Sequence, residues 1–317
     1  MDAPSKPDLL LQIGPVVDAH HHFWDLEKNH YPWLQEAPVK AHFGDYGAIR
    51  RSYLPADLRK DAGAIDLLAT VHVEAHWRGG REPEGETAWL GGLARDCGFP
   101  GAIVGFCDLL SANCDEVLAR HQQHSRLRGI RMLTQRPGNP SGSALMRDTR
   151  FREGLKKVAA AGLSFDLQTT AQTMPAAVEL VQDLPELSFA LTHAGLPLDR
   201  SEAGLAAWRR GIAALSACSN VTAKLSGLPM CDWRWSVGSL RPFVLHLLES
   251  FGPERVMFGS NFPVDGLFSS YTDLLTAYAQ IVLEGCGEKA LSPVFRDTAL
   301  RFYRIKPTET LSGVTHV

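Results

Sequence analysis

Short apolar runs rich in β-branched residues recur along the chain, and longer segments with helical spacing lie between them. The apolar runs are Val16–Trp24, Leu67–Ala75, Gly101–Leu109, Leu127–Leu133, Leu163–Thr169, Ser188–Gly195, Asn220–Gly227 and Val256–Val264. Near-continuous apolar runs of this length are typical of strands that are buried on both faces. The pattern therefore predicts a parallel sheet of eight strands.

The segments between these runs predict the helices of an α/β fold. The best-fitting helical segments are Glu86–Cys97, Asp148–Ala161, Pro175–Leu184, Leu240–Phe251 and Tyr271–Leu283. Eight strand–helix units within about 250 residues favour a closed (β/α)8 barrel over an open doubly wound sheet. We therefore expect one α/β domain over residues 1–317, with a TIM-barrel core at about 16–305.

The longest gap between predicted strands, at about residues 25–66, exceeds a simple crossover. Its aromatic and proline content (YPWLQEAP, then AHFGDYG) predicts an insertion after the first strand, at the active end of the barrel. No linker, low-complexity tract or fixed-period repeat divides the chain, and residues 306–317 resemble a loose tail.

Composition and charge narrow the classes of partner. Apolar residues make up 45% and charged residues 21% of the chain, and the formal net charge is −3. With no basic block and no long apolar stretch, nucleic acid and membrane are not expected partners. The 6 cysteines form no Cys-x-x-Cys pair, so neither a disulfide framework nor a zinc knuckle is indicated. We expect a cytoplasmic protein that acts on a small molecule, as a monomer or a homo-oligomer.

Polar residues stand where the predicted strands end, which is where barrel enzymes place their catalytic groups. His20 and His22 are two apart on a strand and share a face, so both can point into the barrel mouth, while His21 points away. Two imidazoles on one buried face favour a functional role. For His72 and His76 we favour a structural role, because the surrounding pattern is that of a strand and not of a zinc-protease helix.

The remaining strand ends supply candidate catalytic and substrate-binding groups. Arg131 and Lys224 could hold a substrate carboxylate or pair with Asp166 or Asp108 inside the mouth, and Arg234 is a further anion-binding candidate. Other candidates at strand ends and in the loops after them are Trp24, Trp33, Glu74, Trp77, Gln168, His193, Ser226, Trp233, Trp235, Asn261 and Asp265. The chain has no G-x-S-x-G elbow, phosphate-binding P-loop or G-x-G-x-x-G fingerprint, which argues against serine hydrolases, nucleotidases and dehydrogenases.

The runs DAHHHFWD, GIRML, LTHAG, AKLSG, GSNFPVD and DTALRFYRI, in this order, resemble the amidohydrolase-2 branch of the amidohydrolase superfamily. They are most similar to its lactonase-containing group, which includes 2-pyrone-4,6-dicarboxylate, sulfomuconolactone and sugar-acid lactonases. The resemblance covers roughly Val16 to Ile305. It implies a distorted TIM barrel that hydrolyses small lactones, in which His20 and His22 form the strand-one pair and His193 polarises the scissile carbonyl.

Two positions depart from that family pattern. The strand-eight aspartate, which activates water or binds metal in the family, is Asn261 here, and Gln168 stands near the strand-five metal-ligand position. An amide cannot take a proton from water and is a poor metal ligand. We therefore favour a site without a tightly held metal. The alternative is a divalent ion such as zinc, held by His20 and His22.

The predicted reaction is the opening of a carboxylated or sugar-derived lactone by water, with Asp265, Glu74 or a neutral histidine as base. Three alternatives stay open at this point. They are a metal-dependent amidohydrolase, a non-oxidative decarboxylase of the same superfamily, and a catalytically impaired barrel that serves as a binding protein.

Overall fold

A computed structural model of the protein describes residues 5–77, 82, 84–134 and 142–306. The strands in this part of the chain are β1 (Val16–His21), β2 (Leu67–Val73), β3 (Ala102–Phe106), β4 (Leu127–Arg131), β5 (Ser164–Leu167), β6 (Phe189–Leu191), β7 (Val221–Leu225) and β8 (Val256–Phe258). All are parallel, and each pairs with the next in sequence. The sheet curls into a nearly closed barrel, so the predicted single-domain TIM-like fold is confirmed.

Each predicted apolar run contains one strand, but the strands are shorter than the runs. β8 ends at Phe258, and the rest of its run, to Val264, forms the loop that carries Asn261. Every residue of β1, β5, β6 and β8 is buried, as strands covered on both faces require. Some polar residues of the runs, such as Arg131 and Lys224, therefore lie at the ends of strands, and others, such as Asn261, lie in the loops at the barrel mouth.

Helices lie between the strands. Within the described residues they are α1 (Lys6–Ile13), α2 (Pro32–Gln35), α3 (Pro55–Ala62), α4 (Gly85–Cys97), α5 (Cys114–Gln122), α6 (Gly142–Arg147), α7 (Thr149–Ala160), α8 (Met174–Asp183), α9 (Glu202–Ser216), α10 (Val237–Phe251), α11 (Tyr271–Cys286) and α12 (Thr298–Phe302). The five predicted helices correspond to α4, α7, α8, α10 and α11. None of the described helices is both long and apolar enough to cross a bilayer.

The predicted insertion after β1 contains α2, α3 and a short 3-10 turn, and it is tied back to the barrel. Trp24 and Tyr53 pair through two backbone hydrogen bonds of 3.0 and 2.9 Å. The indole of Trp24 is fully buried and donates to the carbonyl of Arg51 at 2.6 Å. The insertion is therefore fixed above the strand ends. Of the predicted tail at 306–317, all but the first residue lies outside the described residues.

Asp18 joins the first and last strands of the barrel. Its Oδ1 accepts from the backbone N–H groups of His20 (3.1 Å) and Ser260 (2.9 Å). Its Oδ2 accepts from the Ser260 hydroxyl (2.6 Å) and the Tyr271 hydroxyl (3.0 Å). Burial raises the pKa of this carboxyl to about 6, against the opposing effect of these donors. One side chain thus fixes both β1 and the loop after β8.

We predict that Asp18→Ala destabilises the protein by roughly 3 kcal/mol or more, because several buried donors lose their acceptor at about 1–3 kcal/mol each. Tyr271→Phe, which removes only one of these donors, should cost about 1 kcal/mol. Urea unfolding of both variants measures the difference. Equal losses of stability in the two variants would contradict this role of Asp18.

Candidate active site

A cavity of about 130 Å³ lies at the C-terminal ends of the strands. Its walls are formed by His22, Trp33, His42, Phe43, Ala75, His76, Arg131, Leu133, Gln168, His193, Met230, Asn261 and Val264. This volume is on the scale of the roughly 150 Å³ cavity that can hold benzene. The space therefore suits one small ring with few substituents.

Three histidines from two strand ends pack together here. His22 and His193 line the cavity, whereas His20, contrary to its predicted place in the barrel mouth, is fully buried outside the cavity wall. The ring centroid of His20 lies 5.1 Å from that of His22 and 4.5 Å from that of His193. His193 has a backbone φ of +54°, and a Cβ on neighbouring Gly227 would come within 2.5 Å of its Nδ1 atom. A side chain at position 227 would push His193 out of place, so the ring position depends on this glycine. His21, as expected, turns away and packs on Phe23 with ring centroids 4.2 Å apart.

Burial holds these histidines in the neutral form. It lowers the pKa of His20, His22 and His193 well below 6.5, and neighbouring cations, Lys224 for His20 and Arg131 for the other two, lower it further. The Nδ1 atom of His22 lies 2.7 Å from the carbonyl oxygen of Val73. Since a carbonyl only accepts, Nδ1 carries the proton, and Nε2 of His22 has a free lone pair.

Lys224 does not line the cavity, contrary to its predicted contact with substrate. It is fully buried and donates to Asp166 Oδ2 at 2.6 Å. This pairing with Asp166 is the alternative to substrate contact that the sequence allowed. Its Nζ also lies 3.4 Å from Nδ1 of His20, and Tyr303 donates to Asp166 Oδ1 at 2.9 Å. The position of Lys224, one residue before the end of β7, places its ammonium behind His20.

Arg131 presents a partly satisfied guanidinium to the cavity. Its Nε donates to Glu74 Oε1 at 2.9 Å and its Nη2 to the Glu74 carbonyl at 2.5 Å. Glu74 is fully buried and also accepts from the backbone N–H of His76 at 2.8 Å. Contrary to its predicted contact with substrate, Glu74 therefore stands behind Arg131, whereas Arg131 and Gln168 both reach the cavity wall.

Asn261 occupies the cavity wall, and Asp265 lies behind it. Asn261 donates through Nδ2 to Asp265 Oδ1 at 2.9 Å, and the other carboxylate oxygen accepts from the Gly227 N–H at 3.2 Å. Burial raises the pKa of Asp265 well above its usual range. With both oxygens engaged and no place in the cavity wall, Asp265 is a poor base for a bound water, contrary to the sequence-based expectation.

Three further predicted substrate-binding residues lie outside the cavity wall. Ser226 lies 3.1 Å from Nδ1 of His193 and orients that ring. Trp24 is buried and stacks on His22 with ring centroids 6.3 Å apart, so it supports a histidine instead of touching substrate. Arg234 lines an outer cleft, which shares His42 and Met230 with the inner cavity.

Several wall residues were not identified from the sequence. His42 and Phe43 come from the insertion, and Leu133, Met230 and Val264 come from loops after strands. His72 lies outside the cavity wall, and its Nδ1 accepts from the Phe23 N–H at 3.0 Å. His76 does line the cavity, with 34% of its side chain exposed. The apolar wall residues have no chemical group that would mark them as site residues in the sequence. Only their position after strand ends could have indicated them.

The donor groups at this cavity do not make a metal site. Among the residues that the structure describes, no group of three or more His, Cys, Asp or Glu side chains is arranged to hold a metal ion. Asn261 supplies no carboxylate, and Asp265 is committed to Asn261 and Gly227. Two imidazoles without a carboxylate are a poor set of ligands for a divalent ion.

Comparisons of sequence place this chain among known proteins. It is 38% identical over 295 residues to an uncharacterized protein, y4mH, of Sinorhizobium fredii, covering 92% of this chain and 98% of the relative. It is 31% identical to an L-fucono-1,5-lactonase of Burkholderia multivorans over 299 residues, covering 91% of this chain and 96% of that enzyme.

The fold and a family model agree with these similarities. A crystal structure of an amidohydrolase from Burkholderia multivorans with bound zinc superimposes with a TM-score of 0.78 at 29% identity, covering 92% of this chain and 100% of the other. Residues 17–305 match the family model described as Amidohydrolase. The resemblance read from the sequence motifs is thereby confirmed, and the chain belongs to the amidohydrolase family of enzymes.

Proposed function

We propose that this enzyme hydrolyses the ester bond of a small monocyclic lactone. The observation that supports the proposal is a cavity of about 130 Å³, the size of one ring, whose wall contains the buried, neutral imidazoles of His22 and His193. The similarity to an L-fucono-1,5-lactonase over 91% of the chain supports an ester ring as the substrate. The product is the corresponding hydroxy acid.

His22 is the proposed general base. Its Nδ1 proton is committed to the Val73 carbonyl, so Nε2 can take a proton from water. The water oxygen then bonds to the lactone carbonyl carbon, the ring C–O bond breaks, and the proton held by His22 passes to the departing ring oxygen. This sequence of steps needs neither Asp265 nor a strand-eight aspartate.

His193, which lines the cavity, is the proposed donor to the carbonyl oxygen, and the buried ring of His20 packs against it. Donors fixed in a water-poor site stabilise the developing oxyanion, and one such donor typically contributes on the order of a hundred- to thousandfold in rate. Ser226 beside Nδ1 of His193 and Gly227 behind its ring hold this donor in place. The site is thus organised before the substrate enters.

Arg131 and the apolar walls set the proposed substrate class. Glu74 engages Nε and Nη2 of Arg131, and the guanidinium faces the cavity with donor capacity to spare. Phe43, Leu133, Met230 and Val264 have no strong hydrogen-bonding group in their side chains, and Trp33 donates its indole N–H to the Ala75 carbonyl at 2.9 Å. A lactone with one carboxylate and few hydroxyl groups fits this lining better than a fully hydroxylated sugar lactone.

We predict that His22→Ala lowers kcat by about 10²- to 10⁴-fold, the usual contribution of a general base. His193→Ala should lower kcat/KM by about 10²-fold or more through loss of a carbonyl donor. Turnover of a panel of five- and six-membered lactones measures both. The control is His30→Ala, a half-exposed histidine paired with Glu36, which should leave the rate unchanged. Full activity in His22→Ala would exclude His22 as the base.

Paired changes at Arg131 test the recognition of an anionic substituent. Glu74→Gln combined with Arg131→Gln removes both charges together, because removing one partner of a buried pair would strand the other. We expect KM for carboxylated lactones to rise about tenfold or more, with little change for neutral ones. Steady-state kinetics on matched pairs of lactones provide the measurement. Equal effects on both substrates would remove Arg131 from carboxylate recognition.

We propose that turnover needs no tightly bound metal. Purified protein treated with a chelator and verified by elemental analysis should keep its lactonase rate. Restoration of a lost rate by zinc would instead establish the metal-dependent alternative. Release of CO2 from aromatic acids without lactone turnover would establish the decarboxylase alternative.

A further inference from the structure

We propose that Lys224 is a positioning residue that fixes His20 in the tautomer with its proton on Nε2. In this form Nε2 of His20 has a proton and no lone pair for a metal ion. This inference does not rest on the proposed lactone hydrolysis.

The geometry around Lys224 leaves its ammonium only donor roles. Nζ lies 2.6 Å from Asp166 Oδ2, 3.4 Å from His20 Nδ1 and 5.1 Å from the centroid of the Tyr303 ring. An ammonium has three protons and no lone pair, so each of these neighbours must act as an acceptor. Nδ1 of His20 therefore holds a lone pair toward Lys224.

The surroundings of Asp166 keep Lys224 charged. Both side chains are completely buried, and Tyr303 donates to the second oxygen of Asp166 at 2.9 Å. Burial alone lowers the pKa of Lys224, and the carboxylate of Asp166 opposes that shift. A carboxylate 2.6 Å from an amine favours the charged form of that amine, so Asp166 retains the ammonium of Lys224 beside it.

A neutral imidazole carries one N–H, so the acceptor role of Nδ1 places the proton on Nε2. Nε2 of His20 is buried, and it has no hydrogen-bond partner among the residues that the structure describes. Its ring contacts His22 and His193, which line the cavity. This N–H is therefore a buried donor without an acceptor among the described residues, beside the two histidines of the cavity wall.

The neighbouring His22 has the opposite arrangement. Its Nδ1 donates to the Val73 carbonyl, so its Nε2 is an acceptor. The backbone carbonyl behind His22 and the ammonium behind His20 thus produce opposite tautomers in two chemically identical side chains.

The same geometry opposes metal binding at His20. A histidine that binds metal through Nε2 carries its proton on Nδ1, and it usually donates that proton to a carboxylate or carbonyl. At His20 this second position faces an ammonium, which cannot accept it and which also repels a divalent cation. A zinc ion at His20 would have to displace or deprotonate Lys224.

The test combines nitrogen NMR of histidine with zinc binding by the full-length protein. Long-range ¹H–¹⁵N correlation of ¹⁵N-histidine-labelled protein reports which ring nitrogen of His20 is protonated, with the signal assigned from a His20→Gln variant. We expect the proton on Nε2 in the unmodified protein. A proton on Nδ1, or on both nitrogens, would overturn the proposal.

The variant that should reverse the tautomer is Asp166→Asn combined with Lys224→Gln. It is neutral overall, and the amide oxygen of the introduced glutamine can accept a proton from Nδ1 of His20. We expect the His20 proton to move to Nδ1 and the zinc affinity, measured by calorimetry with zinc alone, to rise at least tenfold over the unmodified protein. The matched control is Glu153→Gln combined with Lys156→Gln, which neutralises an exposed ion pair on α7 and should change neither reading.

An unchanged tautomer and unchanged zinc affinity in the folded double variant would contradict the proposal. If circular dichroism shows that this variant does not fold, the tautomer of the unmodified protein decides. These readings do not depend on turnover. A chain with the expected tautomer but no activity on the lactone panel would refute the proposed function and leave the role of Lys224 standing.

Discussion

The removal of three imidazoles from water is the constraint on which the rest of the site depends. Burial at the barrel mouth keeps His20, His22 and His193 neutral, so the role of each nitrogen is set by the group behind it and not by solution pH. The Val73 carbonyl and the Lys224 ammonium are such groups. Because both are fixed by the strands, the chemistry of the cavity is built into the barrel itself.

Because the group behind each imidazole sets its role, many charged side chains of the site lie behind the cavity wall and not in it. Glu74 holds Arg131, Asp166 holds Lys224, and Asp265 holds Asn261. Each carboxylate engages a residue that either reaches the cavity or supports one that does. The cavity wall consists mainly of imidazole, amide and apolar groups, and the guanidinium of Arg131 supplies its positive charge.

The sequence was enough to predict the barrel and much of the site, because both follow from local rules. Strand-like runs marked the eight strands, and the position of polar groups after them identified His22, Arg131, Gln168, His193 and Asn261 as residues that the structure places in the cavity wall. The same rule could not separate Lys224 from Arg131. Both are cations near strand ends, and they differ only in how deeply the strand register buries them.

The rest of the site depends on contacts that no local pattern encodes. His42 and Phe43 reach the cavity because the insertion is anchored by the Trp24–Tyr53 backbone pair and by Gly44, whose open face packs against Trp233. The commitment of Asp265 to Asn261 and Gly227 likewise needs the folded loop after β8. Pairings across dozens of residues are visible only in three dimensions.

The central claim, that water attacks a carbonyl carbon held among these histidines, is tested most directly by isotope labelling. A lactone that the enzyme turns over would be hydrolysed in H2¹⁸O and the hydroxy acid examined by mass spectrometry. The account predicts one ¹⁸O atom in the carboxylate and none in the hydroxyl group. Label in the hydroxyl group, or a product without label, would contradict it.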